Sequence, residues 1–211
     1  MSEDREQHLE AQLSQAQAAV ERGRRMLSIF RSLVRRLAAG SAAADEFAQQ
    51  LESRLGAYGR AQAALTRDPL SGADLAGLLG EELLAHSVRE GDQVALHGPD
   101  LRLQPRAAEL FALLFNELVV NAIKFGALRR DEGRIDVHWH VSRDGGDRRF
   151  EFRWRETDAG EAPLRGPDGF GTEFVRRTLP QELGAEGELT HSPGGTTCAI
   201  KVPAEAVLVS A

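Results

Sequence analysis

The chain has 211 residues and a formal net charge of −6 at pH 7, with 26 Lys and Arg against 32 Asp and Glu. That length suffices for one small helical bundle and one α/β domain, and the acidic balance gives no general drive to bind nucleic acid. Cys198 is the single cysteine, which excludes an internal disulfide and fits a reducing cytoplasm. No apolar run approaches the length of a membrane span and no signal peptide is visible, so a cytoplasmic protein is expected.

Near the N-terminus, Leu9, Leu13, Ala16, Val20, Gly23, Leu27, Phe30, Val34 and Leu37 step by alternating fours and threes. This heptad seam predicts a long dimerising helix. Gly23 within it costs about 1 kcal/mol of helix propensity relative to Ala and could mark a kink or a close helix approach. Ala39-Gly40-Ser41 breaks the pattern, and Asp45 and Glu46 open a second helix. There Ala48, Leu51, Leu55, Tyr58 and Leu65 keep the spacing, with Gln62 as the polar member of the seam. Two such helices make a hairpin, and two hairpins a four-helix bundle. Residues 1–67 are therefore expected to form a helical homodimerisation domain, and residues 68–211 an α/β domain. Arg22, Arg24, Arg25, Arg31, Arg35 and Arg36 cluster on the first helix, either as a solvated face or as a docking face for an acidic partner.

Further along, Ser71 or Asp74 caps a helix running to about His86, and 93–96 is a short strand. Gln104-Pro105-Arg106 starts the main helix, with Pro in a tolerated first-turn position. Within that helix the stretch Leu114 to Leu128 places Glu117, Asn121 and Lys124 at i, i+4 and i+7, on one face. A carboxylate, a carboxamide and an ammonium so stacked suit a Mg²⁺–triphosphate. The Asn121 amide oxygen can ligate hard Mg²⁺, Glu117 can polarise a metal-bound water or attacking group, and Lys124 can reach phosphate oxygens. A helix with a solvated polar stripe is the alternative.

Residues 134–141 alternate strongly, Asp144-Gly145-Gly146-Asp147 signals a hairpin turn, and 148–155 returns as a strand. Asp158-Ala159-Gly160 follows at the strand end, where a carboxylate can accept a hydrogen bond from an adenine amino group. Residues 157–168 read as a nucleotide lid. Gly169-Phe170-Gly171-Thr172 then opens a second amphipathic helix with Phe174, Val175 and Leu179 as apolar positions, ended by Gly184. Glycines there let the backbone approach phosphates. A last hairpin joins 187–191 to 196–202, and Cys198 is expected to be buried in its second strand. His138 and His140 lie two apart on the polar face of one strand. Without an evident third ligand they read as a solvated strand face rather than a metal site.

In this order the motifs resemble the core of HWE-type bacterial histidine kinases, from about Arg22 to Pro203. The family's asparagine box is matched by Glu117, Asn121, Lys124 and Gly126-Ala127-Leu128, with Asn116 where the group's His stands and Phe125 where Tyr is usual. Trp154 and Glu156 match the Trp-x-Glu element, and Gly169-Phe170-Gly171-Thr172 the glycine box. The run from Leu96-His97-Gly98-Pro99 to Leu103-Gln104-Pro105-Arg106 resembles the family's lead-in. The resemblance implies an α/β fold: an antiparallel helical hairpin forming a dimeric four-helix bundle, followed by a GHKL-type α/β sandwich that binds ATP with Mg²⁺. It implies Asn121 as the Mg²⁺ ligand and Glu117 as the polarising carboxylate. Lys124, Asn116, Gly160, Gly169, Gly171 and Thr172 would lie around the nucleotide. Asp158 would read adenine, with Glu156 as its rival.

One departure is chemical. Aligning the family's phosphoacceptor run to Arg22-Gly23-Arg24-Arg25 puts Glu21 at the position of the accepting His. An imidazole nitrogen takes and passes on a phosphoryl group; a glutamate would form an acyl phosphate. Glu21 reads more simply as a surface residue paired with Arg24 or Arg25, worth a few tenths of a kcal/mol, about the usual helix-pair value. Autophosphorylation on His is then not expected. Three functions follow: a degenerate kinase that docks on or dephosphorylates a response-regulator receiver domain, with Glu21 and Arg22 positioning a water in the latter case; an ATP-dependent kinase acting in trans; or a non-catalytic dimeric adaptor with an empty nucleotide pocket. The input is expected to come from a partner.

Overall fold

Helix α1 (Ala44–Arg67) runs for 24 residues and ends on a basic last turn at Arg67. The computed structural model describes residues 23, 44–67, 71–91, 93–144, 146–157, 169–192 and 194–209. Apart from Gly23, the dimerisation seam from Leu9 to Leu37, with Glu21 and Arg22, and residues 158–168 of the lid, Asp158 and Gly160 among them, lie outside the described residues. The chain divides into two compact units, 1–52 and 53–211. Within the first, Gly23 is helical.

In the second unit, α1 buries Arg54, Ala57, Tyr58, Ala61 and Leu65. Their spacing of three and four residues puts them on one stripe. The seam read from sequence is only partly that stripe: Tyr58 and Leu65 belong to it, while Ala48 and Leu55 are exposed. A three–four spacing fits overlapping faces of one helix, and the small Ala57 and Ala61 permit the closer approach.

A short strand β1 (Ala73–Asp74) leads into α2 (Leu75–Ala85). Asp74 is the N-cap, its carboxylate accepting from the Gly77 N–H at 2.6 Å, which satisfies one of the helix's orphan donors. Strand β2 (Val94–His97) follows, then β3 (Arg102–Leu103), which pairs antiparallel with β1. The central helix α3 (Pro105–Phe125) begins as read from sequence, with Pro105 in its first turn. Every residue from Ala107 to Val119 is buried, so this helix is core on all sides.

A 3-10 turn (Ala127–Arg129) leads to β4 (Arg134–Asp144) and β5 (Asp147–Thr157), an antiparallel hairpin. Strands β6 (Glu186–Ser192) and β7 (Gly195–Pro203) complete a five-stranded sheet in the order β2-β4-β5-β7-β6. Only the β2–β4 pair is parallel. Alternation puts Phe150, Phe152 and Trp154 of β5 and Cys198, Ile200 and Val202 of β7 on the buried face. Phe111 of α3 meets Phe150 and Phe152 edge-on, with centroids 5.7 and 6.0 Å apart. Burial pushes the Cys198 thiol up to about 12, so at neutral pH it stays protonated and inert.

The segment after the glycine box is not the regular helix expected from sequence. It is α4 (Phe170–Glu173), a π-helical turn (Phe174–Thr178) and α5 (Leu179–Leu183). Pro180 has no N–H for the Arg176 carbonyl and its ring crowds that turn. The Leu179 N–H instead reaches the Phe174 carbonyl, five residues back. The apolar positions still point inward: Phe174, Val175 and Leu179 are all buried. Gly184 ends the segment at φ 64°, where a left-handed residue closes the helix.

The last helix, α6 (Ala204–Val207), returns to the head of α3. The Gln104 N–H donates to the Val207 carbonyl at 2.8 Å, and its carboxamide donates to the Glu205 and Leu208 carbonyls at 2.9 and 2.8 Å. The Val209 N–H donates to the Arg102 carbonyl at 3.0 Å. No helix among the described residues is long and apolar enough to cross a membrane.

Candidate functional site

Three of the residues singled out on α3 emerge in graded fashion from a buried helix. Glu117 is 9% exposed. Asn121, one turn on, is half-buried, and Lys124 near the C-terminus is exposed. The glycine box faces them. A Cβ built on Gly171 would sit 3.6 Å from Asn121 Nδ2, 3.7 Å from Glu117 Cβ and 3.8 Å from Glu117 Oε2. Backbone of the second motif thus lies against the side chains of the first, although 50 residues separate Asn121 from Gly171 along the chain. Thr172 is buried beside it, and Gly169 is the exposed N-cap.

Sequence reasoning missed Arg54. From α1 its Nε donates to Glu117 Oε1 at 2.6 Å, and its guanidinium carbon stands 4.2 Å above the Phe170 ring. Both side chains of this ion pair are buried, at 5% and 11% exposure. Its Nη1 is buried with no hydrogen-bond partner. A buried guanidinium N–H without an acceptor is costly, so this corner has donor capacity that an anionic oxygen would satisfy.

Asn116, expected around the nucleotide, is committed to a different network. Its carboxamide donates to Ser53 Oγ at 2.7 Å and to Glu82 Oε1 at 2.8 Å. Glu82 also takes two hydrogen bonds from Arg60, at 3.1 and 2.5 Å, and lies 3.1 Å from His86 Nε2. The Glu82 and Asn116 side chains thus tie α1, α2 and α3 together. Burial by itself would raise the Glu82 carboxyl, but hydrogen bonds from His86, Asn116 and Arg60, with the Arg60 charge, outweigh it and hold it below its ordinary 4.5. The stability this contributes is present above the unfolded value and is lost as pH falls through the lower folded value. Glu82→Gln should therefore lose stability at pH 7 and narrow its deficit against wild type below about pH 4, in the carboxylate range. Denaturant titrations at both pH values check this; a pH-independent deficit would refute the linkage.

Glu156, the rival for adenine recognition, is 3% exposed and braces the exit of α3. Its Oε2 accepts from the Ala127 N–H at 3.0 Å and its Oε1 from Trp154 Nε1 at 3.1 Å. The Trp-x-Glu element puts both side chains on the buried face of β5, and a Cβ at Gly126 would collide with the Glu156 carboxylate. Sequence gave the residue; it did not give this structural duty.

On the sheet's other face the two histidines read as a solvated pair part company. His140 Nε2 lies 3.7 Å from Glu151, whereas His138 stacks on His97, ring centroids 4.6 Å apart.

A mixed sheet with one helical face, a buried central helix bearing Glu117 and Asn121, and a glycine box laid against them define a GHKL-type α/β sandwich fold. In overall structure the chain is similar to the histidine kinase domain of the Erythrobacter litoralis blue-light activated histidine kinase. The TM-score is 0.52 at 20% identity, covering 83% of this chain and 94% of that one. Against a longer structure of that kinase it is 0.55, covering 85% and 59%. The model of the HWE histidine kinase family matches residues 21–100. Among curated proteins, the blue-light-activated histidine kinases of Brucella ovis and Brucella anthropi are 27% and 30% identical over 150 and 153 residues. These matches cover 71% of this chain but only about a third of the relatives' length, 31% and 30%. Over these stretches the chain is similar to the HWE-type histidine kinases.

Proposed function

We propose that the chain is a signalling protein that binds Mg-ATP between α3 and the glycine box and regulates a response regulator, by docking on its receiver domain or promoting its dephosphorylation, rather than phosphorylating itself on His. The observation that carries the nucleotide site is the approach of the glycine box to α3, close enough that a Cβ on Gly171 would touch both Asn121 and Glu117. The donor set fits the nucleotide: a carboxamide oxygen for Mg²⁺ at Asn121, an ammonium at Lys124, and the acceptorless N–H of Arg54 beside Glu117.

Bound ATP would supply a transferable phosphoryl group. Glu117, fixed by Arg54, would orient a metal-bound water or attacking group, and Gly169, Gly171 and Thr172 would border the triphosphate. Asp158 and Gly160 would close the adenine side. Glu21 at the acceptor position underlies the regulatory reading. With Arg22 it would sit where the bundle meets a receiver's aspartyl phosphate, and the helical hairpin would dimerise.

The test is incubation with γ-labelled ATP and Mg²⁺, alone and with candidate receiver domains, scoring binding and label together. Binding without self-labelling is expected. Asn121→Ala should weaken Mg-ATP binding by about 100-fold or more, some 2.7 kcal/mol, with an unchanged circular dichroism spectrum. Wild-type affinity in that variant would overturn the site. Self-labelling would return the chain to the active kinases. Label moving directly from ATP to a partner would make it a trans kinase, and no binding at all would make it an adaptor.

A further inference from the structure

We propose that the outer face of the sheet holds a divalent transition metal on His97, Asp136 and His138. The site follows from strand register. β2 and β4 are parallel neighbours, and His97 is the direct partner of His138. Asp136 lies two residues before His138 on β4, hence on the same face. One ligand atom from each of the three lies within 4.8 Å of the others. The imidazoles of His97 and His138 are stacked, with ring centroids 4.6 Å apart, and side-chain rotation would bring the three ligand atoms onto one ion. Among the described residues none of the three has a hydrogen bond or ion pair that would have to break. The site is open: His97 and His138 are exposed and Asp136 half-buried. A concavity of about 600 Å³, lined in part by Asp136, His138 and Arg155, lies beside it.

Charge and ligand type select the occupant. Arg153 and Arg155 are the cross-strand partners of His138 and Asp136. Two cations at the rim oppose capture of a hydrated cation by long-range attraction. Affinity must come from direct imidazole and carboxylate bonds. Two His nitrogens and one carboxylate suit Zn²⁺, Co²⁺ or Ni²⁺, whereas Mg²⁺ and Ca²⁺ prefer oxygen donors. Three protein ligands leave further positions to water or an exogenous anion, which the neighbouring arginines would favour. Asn121 is remote from this chemistry, on α3 beneath the sheet's other face, so the site is separate from the nucleotide's Mg²⁺.

The experiment uses tag-free, metal-stripped protein without nucleotide. It is titrated with Co²⁺ and followed by visible d–d absorption, with Zn²⁺ then added in competition. Saturable Co²⁺ binding at a single site, displaced by Zn²⁺ and not by Mg²⁺, is expected. His97→Ala, His138→Ala and Asp136→Asn should each weaken it by about tenfold or more, equivalent to 1.4 kcal/mol. His140→Ala and Asn121→Ala should leave it unchanged. Circular dichroism of each variant, expected to match wild type, separates ligand loss from misfolding. No saturable binding, binding that survives His138→Ala or Asp136→Asn in a folded variant, or equal competition by Mg²⁺ would overturn the proposal.

Discussion

Glu156→Ala is expected to destabilise the 53–211 unit by about 3 kcal/mol, measured by urea denaturation. The Glu156 carboxylate accepts the Ala127 N–H and Trp154 Nε1–H. Trp154 and Ala127 are fully buried. Truncation removes both acceptors at once, and each orphaned donor costs about 1–3 kcal/mol. Little solvent can enter to replace them, because Gly126 and Gly195 bring backbone right against Glu156. Glu156→Gln should fall between wild type and Ala. It keeps one carbonyl oxygen but turns an NH₂ towards a donor. A loss below about 1 kcal/mol for the alanine variant, the net value of an ordinary exchangeable hydrogen bond, would show that the brace is dispensable.

Arg54→Ala should cost about 3 kcal/mol, the scale found when one member of a buried ion pair is removed. Glu117 would keep its charge in a site only 11% exposed without its 2.6 Å partner. Phe170 would also lose the guanidinium packed over its ring. Arg54→Ala combined with Glu117→Gln should recover part of that loss, since the second change removes the stranded charge. The expected coupling in a double-mutant cycle is at least about 1 kcal/mol, as for contacting partners. Strict additivity would mean that the contact contributes nothing specific.

The fold was legible where one periodicity dominated. Pro105 marked the start of α3, alternation through Val137 and Trp139 marked β4, and Gly184 marked the end of the helical segment. The spacing of Glu117, Asn121 and Lys124 identified a face because a helix converts spacing into direction. What was not legible depends on residues far apart in sequence. Arg54 and Glu117 are 63 positions apart, and nothing local to Arg54 distinguishes it from a solvated arginine. The His97–Asp136–His138 group needed the β2–β4 register, which a parallel pair does not announce through a turn. Glu156 was visible as part of a short element, but its duty rests on the Ala127 N–H, 29 residues away. The second-helix seam holds two faces, because Leu55 and Tyr58 both fit a three–four pattern; within one chain Tyr58 is buried and Leu55 stays exposed.

The contacts of Gln104 bear on how the chain reaches this state. As the polypeptide is synthesised, α3 exists as sequence long before residues 204–209 do. Until those arrive, the Gln104 amide and carboxamide must be served by water. The Gln104–Leu208 bond alone spans 104 positions, so closing the clasp carries a loop entropy that is repaid only by a formed core. Once closed, this late-made tail is locked to the head of α3, made 104 positions earlier. The Val209 amide should therefore exchange with deuterium on the timescale of the α3 interior, and exchange at the rate of an unstructured peptide would show that the clasp does not hold.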